Sequence, residues 1–248
     1  MPAPPQPDPA QPERFGLELN GFRIERYHEP FSRILLSTSR GPIRCRYYPA
    51  PIGRRAIVWA GGAIPGFHEP ANHLYSRIAT DLAKEGIASL HVSYRFSTVL
   101  EEATLDLLAG CVFLRTQGID QFAAIGYSFG GAVALEAAVA CDRITSLITL
   151  ATQSCGRRSP LQLNPHCSLL LIHGAADRSI PPRISEFIYS AARDPKRLHI
   201  IPGASHDLTE CSDHLFDLIR SSLLESKTTP SSPPCTSDRT PHPSLSDK

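Results

Sequence analysis

Two kinds of apolar pattern alternate along the middle of this chain. One is short, either alternating with polar residues or continuously apolar; the other is longer and repeats with helical spacing. Ile34-Leu35-Leu36-Ser37-Thr38 and Ile43-Arg44-Cys45-Arg46-Tyr47-Tyr48, split by Gly41-Pro42, read as an antiparallel hairpin at one sheet edge, where polar alternation suits a half-exposed strand. Buried strands are predicted at 55–60, 87–94, 121–127, 144–150, 167–173 and 196–201. Helices are predicted at 72–85, 100–117, 129–140, 182–193 and 207–224. That alternation predicts an α/β chain: a three-layer α/β/α sandwich with a mostly parallel sheet and an antiparallel N-terminal edge.

The ends break the pattern. Residues 1–14 carry Pro2, Pro4, Pro5, Pro7, Pro9 and Pro12 among polar residues, and residues 226–248 are rich in Ser, Thr and Pro with no apolar period. Both are expected to be disordered, leaving one domain over residues 15–225. A chain of 248 residues that is 42% apolar can bury one substantial core there without disulfides or metals.

Candidate chemistry sits at a strand-to-helix junction. Gly126-Tyr127-Ser128-Phe129-Gly130 ends one predicted strand and starts a small-residue helix, so a tight turn would present the Ser128 hydroxyl. Gly126 and Gly130 stand where a Cβ would crowd the reversing backbone. The new helix offers free N–H groups beside the serine, and the Phe129 N–H is the first candidate for an oxyanion donor. A serine needs a general base and an orienting acid before it is a useful nucleophile. Leu169-Leu170-Leu171-Ile172-His173-Gly174 is an apolar run that stops at a turn, and the following loop carries Asp177, the chosen acid. Pro202-Gly203-Ala204-Ser205-His206 follows the last predicted strand and supplies His206, the chosen base. His173 and Asp207 are rivals for these roles, but Asp207 would have to fold back on its own neighbour to orient the ring. Parallel strands end on one edge, so three distant loops can converge there.

With its serine turn, the acid motif His173 to Asp177 followed by Ile180-Pro181, and the histidine motif Gly203 to His206, the chain resembles the α/β-hydrolases. Within them it is most similar to small lidless members of the dienelactone-hydrolase-like or serine-esterase kind, over about residues 32–224. The resemblance implies a Ser128-Asp177-His206 triad and a second oxyanion donor in Gly61-Gly62-Ala63-Ile64-Pro65-Gly66. The expected group is the backbone N–H of Gly62, with Ala63 as the neighbouring candidate. The family often carries a histidine-glycine pair at this point, where this chain has Ala60-Gly61. It further implies a serine hydrolase acting on an ester or thioester, with a soluble small-molecule or acyl substrate. An acyltransferase or cofactor-free haloperoxidase on the same scaffold, and a noncatalytic binding protein, are the alternatives.

Other residues refine this picture. Ala63, Arg95, Tyr127, Thr152, Gln153 and, further along the same loop, Ser154 and Arg157 are candidate substrate-lining groups, although Arg95 equally suits a structural ion pair. Only residues 151–166 stand where some relatives place a lid, so a site that is open or covered only by that short loop is expected. His68, Glu69 and His73 read as surface or substrate-side groups, and neither a metal nor a cofactor is expected. A net charge of +1 gives no argument for nucleic acid or a charged partner. Seven scattered cysteines without Cys-x-x-Cys read as thiols in a reducing compartment. Without a secretory or membrane-spanning apolar run, the expectation is a cytoplasmic protein with no membrane insertion.

Overall fold

The computed structural model describes residues 16–28, 30–51, 53–154, 156 and 160–225. The proline-rich ends lie outside the described residues, as do Cys155 and Arg157. The strands are β1 (Leu19–His28), β2 (Phe31–Thr38), β3 (Ile43–Tyr48), β4 (Arg55–Ala60), β5 (Ile87–Ser93), β6 (Gln121–Tyr127), β7 (Ile144–Leu150), β8 (Ser168–Gly174) and β9 (Lys196–Ile201). The helices are α1 (Leu74–Ala83), α2 (Leu100–Thr116), α3 (Phe129–Ala140), α4 (Arg183–Ala191) and α5 (Ser212–Glu225).

All nine strands join one sheet in the order β1-β2-β3-β5-β4-β6-β7-β8-β9. Pairings from β1 through β3 to β5 are antiparallel, and those from β5 onward are parallel. The expected sandwich and its antiparallel N-terminal edge are thus present. Alternation along the strands divides the core between two faces. Ile57, Trp59, Ile125, Ile148, Leu170 and Ile172 pack with α1 and α5, whereas Val58, Ala60, Ala124, Leu147 and Leu171 pack with α2, α3 and α4. Because both faces are covered, the central strands read as continuous apolar runs.

Three elements depart from the sequence pattern. Strand β1 was not anticipated: it is an edge strand with charged residues and Gly21, and register shifts at Leu19/Gly21 and Ile24/Arg26 interrupt its alternation. Helix α1 starts at Leu74 rather than residue 72, because Ala71, Asn72 and His73 are left-handed, with φ of 49°, 54° and 60°. Helix α5 starts at Ser212 rather than 207; Leu208 has φ 56°, and Thr209–Cys211 form a 3-10 turn. Among the described residues no helix is long and apolar enough to cross a membrane. Cys45, Cys111, Cys141 and Cys167 are buried free thiols.

Arg95, just past β5, is held by α2. Its Nε donates to Asp106 at 2.5 Å, its backbone N–H to the same carboxylate at 2.7 Å, and its other guanidinium nitrogens to Glu102 at 2.9 Å and the Arg40 carbonyl at 2.8 Å. Its side chain is 5% exposed and that of Asp106 0%. Burial pushes the Asp106 carboxyl up to about 6 in spite of the Arg95 hydrogen bonds. Removing one partner of such a pair leaves an uncompensated buried charge. The R95M variant is therefore expected to lose about 3 kcal/mol of unfolding free energy at neutral pH, measured by urea denaturation.

Candidate active site

The turn at Ser128 is built by close backbone approach. Ser128 has φ 55° and ψ −116°, a strained conformation for a residue with a side chain. Its N–H donates to the Leu150 carbonyl at 2.9 Å, and its carbonyl accepts from Gly131 at 3.0 Å and Gln153 at 3.2 Å. A Cβ on Gly126 would collide with the Gly130 carbonyl, and one on Gly130 with the carbonyls of Ala60 and Gly61. These two glycines let α3 start directly above the ends of β4 and β6, as the sequence motif requires. The Ser128 side chain is left partly open to solvent.

Asp177 and His206, the expected acid and base, lie just past the ends of β8 and β9. Gly174 admits the histidine loop, since a Cβ there would strike the Ala204 carbonyl, and Ala176 N–H donates to that carbonyl at 2.9 Å. His206 then lies between the other two groups, with Nε2 3.1 Å from Ser128 Oγ and Nδ1 2.7 Å from Asp177 Oδ2. Asp177 Oδ1 accepts the N–H groups of Ser179 and Ile180, each at 2.8 Å. Burial raises the Asp177 carboxyl, but hydrogen bonds from His206, Ile180 and Ser179 and the attraction of His206 outweigh it, leaving the group below the usual carboxylate range. The rivals stand elsewhere. His173 is buried beneath Asp177, with Nε2 3.1 Å from Oδ2 and 2.9 Å from the Ile180 carbonyl, and Asp207 accepts from the Tyr127 hydroxyl at 2.6 Å.

The loop after β4 is fastened from below. Tyr75 donates to the Ala60 carbonyl and Tyr94 to the Gly61 carbonyl, both at 3.1 Å, while the Tyr94 ring meets Phe129 edge-on at 5.8 Å. Gly62 follows, packed over the Tyr127 ring. Phe129 opens α3, where its N–H has no intrahelical acceptor. Beyond Gly62, Ala63 and Ile64 are exposed, as are Phe96 and Val99 in the neighbouring loop after β5.

Several expected lining residues are engaged by contacts within the protein. Tyr127 is buried, with its hydroxyl on Asp207 and its ring 5.2 Å from that of His206, so it braces the histidine loop. Thr152 is buried against Gly131 and donates to the Gln153 carbonyl at 3.0 Å. Arg95 is occupied by Asp106 and Glu102. Gln153 is half-buried, and its backbone N–H meets the Ser128 carbonyl. Glu69, expected as a surface or substrate-side group, has a buried side chain that accepts both the N–H and the hydroxyl of Ser76, at 2.8 and 2.6 Å. His68 lies half-buried beside Tyr127, and His73 is exposed. The bracing by Tyr75, Tyr94 and Tyr127 carried no sequence signal beyond aromatic residues in the first turn of α1 and at or beside the ends of β5 and β6. Among the described residues no group of three or more His, Cys, Asp or Glu side chains is arranged to hold a metal ion.

No protein-family model matches the chain. A stretch of 57 residues, 23% of this chain, is 46% identical to the uncharacterized protein YfhR of Escherichia coli (strain K12) and covers 20% of it. Another match, to an uncharacterized protein of Mycobacterium tuberculosis (strain H37Rv), is 37% identical over 62 residues, 24% of this chain and 22% of that protein. The chain thus matches about a fifth of the length of these curated relatives. Solved structures align far more completely. Est1E from Butyrivibrio proteoclasticus superposes with a TM-score of 0.68 at 15% identity, over 79% of this chain and 99% of that one. XC6422 from Xanthomonas campestris, a serine hydrolase without a lid, gives 0.65 at 20% identity over 84% and 99%. A dienelactone hydrolase from Anabaena variabilis gives 0.65 at 20% over 80% and 99%. The chain has the α/β-hydrolase fold. At such identities the likeness is one of architecture, and the chemistry rests on the residues themselves.

A carboxyl held low in the folded state stabilises the fold above its unfolded pKa, and this contribution is lost as pH falls through the folded value. The D177N variant is therefore expected to be less stable than the parent by about 2 kcal/mol at neutral pH, with the gap closing in acid, measured by denaturant titration at several pH values.

Proposed function

We propose that this protein is a serine hydrolase that cleaves an ester or thioester through a covalent acyl-enzyme. The observation that carries the reading is the continuous contact from Ser128 Oγ through His206 to Asp177 Oδ2, at 3.1 and 2.7 Å, beginning at a serine held in a strained turn.

In the proposed reaction, His206 Nδ1–H donates to Asp177, which fixes the tautomer and leaves Nε2 free to take the Ser128 proton. Oγ attacks the substrate carbonyl, and the charge that develops on its oxygen is met by the N–H groups of Phe129 and Gly62. The imidazolium gives its proton to the departing alcohol or thiol as the carbonyl–leaving-group bond breaks. Water then enters, loses a proton to His206 and attacks the acyl carbonyl; the proton returns to Ser128 as the acid product leaves. Chain, substrate and water account for every proton and electron pair, so the reading calls for no cofactor or metal.

The exposed Ala63 and Ile64, next to Gly62, suit a small-molecule or acyl substrate approaching from solvent. A neighbour in fold, Est1E, has been solved with ferulic acid bound, and another is a dienelactone hydrolase; both are in keeping with a modest carboxylic substrate.

A fluorophosphonate probe tests the reading directly. Wild type is expected to label, S128A not at all, and H206A at least a hundredfold more slowly with an unchanged circular dichroism spectrum. Turnover of short p-nitrophenyl esters and acyl thioesters should follow the same order. Well-folded wild type that neither labels nor turns over any of these substrates would sink the proposal.

A further inference from the structure

We propose that His173 is a positioning residue of the same site: a second imidazole that completes the hydrogen bonding of Asp177 and thereby fixes the carboxylate toward His206. This assignment rests on the Ser128-His206-Asp177 reading above.

The hydrogen-bond inventory leads to it. An ionised carboxylate has about four acceptor positions. Those of Asp177 are filled by Ser179 and Ile180 N–H on Oδ1, and by His206 Nδ1 and His173 Nε2 on Oδ2. Three of these donors hold the carboxylate, and the fourth is the ring that meets Ser128. His173 can donate in only one way. Its Nε2 faces Asp177 Oδ2 at 3.1 Å and the Ile180 carbonyl at 2.9 Å, both pure acceptors, so Nε2 carries the proton. Its Nδ1 lies 2.7 Å from Ser185 Oγ, a hydroxyl from α4 that can donate to it. Both ring nitrogens are therefore satisfied.

The surroundings show why an imidazole stands here. The side chain of His173 is 0% exposed, as is that of Asp177, and Ser185 is buried as well. A polar ring in such a place is tolerated because it is fully paired. Tyr127 of β6, with His206 and Asp207 from the loop after β9, supplies the titratable groups facing this cluster, and α4 supplies only the uncharged Ser185. His173 also bonds the Ile180 carbonyl, so one ring ties the end of β8, the acid loop and the first turn of α4 together. Two consequences follow from removing it. Asp177 gains rotational freedom, and Oδ2, one donor short, attracts the His206 imidazolium more strongly.

These consequences separate positioning from simple packing. The experiment measures fluorophosphonate labelling rates and ester hydrolysis across pH for full-length wild type, H173L, H173Q and S185A, with S128A as the blank. H173L is expected to label about tenfold more slowly, with kcat reduced, KM unchanged and the acid limb of the pH profile moved to higher pH. H173Q, whose amide N–H reaches a similar position, is expected to recover most of the rate and the original limb. S185A, which removes the contact that holds Nδ1, should fall between H173L and wild type in both. Should H173L fail to fold, recovery in H173Q together with the shifted limb of S185A supports the proposal. It is overturned if wild type labels and the folded variants keep the wild-type rate and acid limb, or lose only thermal stability. Wild type that does not label overturns the Ser128 reading and this assignment with it.

Discussion

Everything at this site depends on how closely α3 is allowed to approach the ends of β4 and β6. The steric limit is set at Gly126 and Gly130, where a single added carbon would meet backbone carbonyls. Because those carbonyls belong to the sheet and to the helix's own first turn, they cannot yield as a flexible side chain does. The strained φ of Ser128 follows from the same contact: with strand and helix so near, one residue must turn through the left-handed region. Hydrogen bonds from Ser128 to Leu150, Gly131 and Gln153 over-determine that turn and hold it.

Around this fixed point the loops are joined by buried polar contacts rather than by apolar packing alone. Tyr75 and Tyr94 hold the carbonyls at the end of β4, Tyr127 reaches Asp207, and Ala71 N–H donates to the Asp207 carbonyl at 2.8 Å. That last bond comes from the first of three consecutive left-handed residues. Such a run is costly for residues other than glycine, and here it connects the loop carrying Gly62 to the loop carrying His206. The two loops are therefore joined through the Ala71–Asp207 contact, which does not itself involve Ser128.

The architecture was legible because its strongest signals are periodic. The central strands were recognised to within about one residue, since two covered faces make them continuously apolar. Ser128, Asp177 and His206 were legible for a related reason: each closely follows such a run, and parallel strands deliver their ends to one edge. What the sequence hid depends on partners far along the chain. Tyr127 read as a lining residue, because strand alternation shows which face a side chain takes but not that its hydroxyl meets Asp207, 80 positions later. Arg95 was ambiguous until Asp106 was seen to be buried beside it. Glu69 looked like a loop carboxylate until α1 brought Ser76 against it. Strand β1 was hidden by its own irregularity, since edge position and two register shifts erase the alternation that would have marked it.

The order of the three side chains along the sequence also has a consequence for biosynthesis. Strands β4, β6 and β7, which shape the turn at Ser128, all precede residue 151, whereas His206 follows the final strand and α5 comes later still. A chain emerging from the ribosome N-terminus first can thus form the serine's turn while the imidazole that contacts it is still inside the exit tunnel. At that stage no imidazole stands beside the Ser128 hydroxyl. Contact between Ser128 and His206 requires the segment after β9 to dock on strands made much earlier.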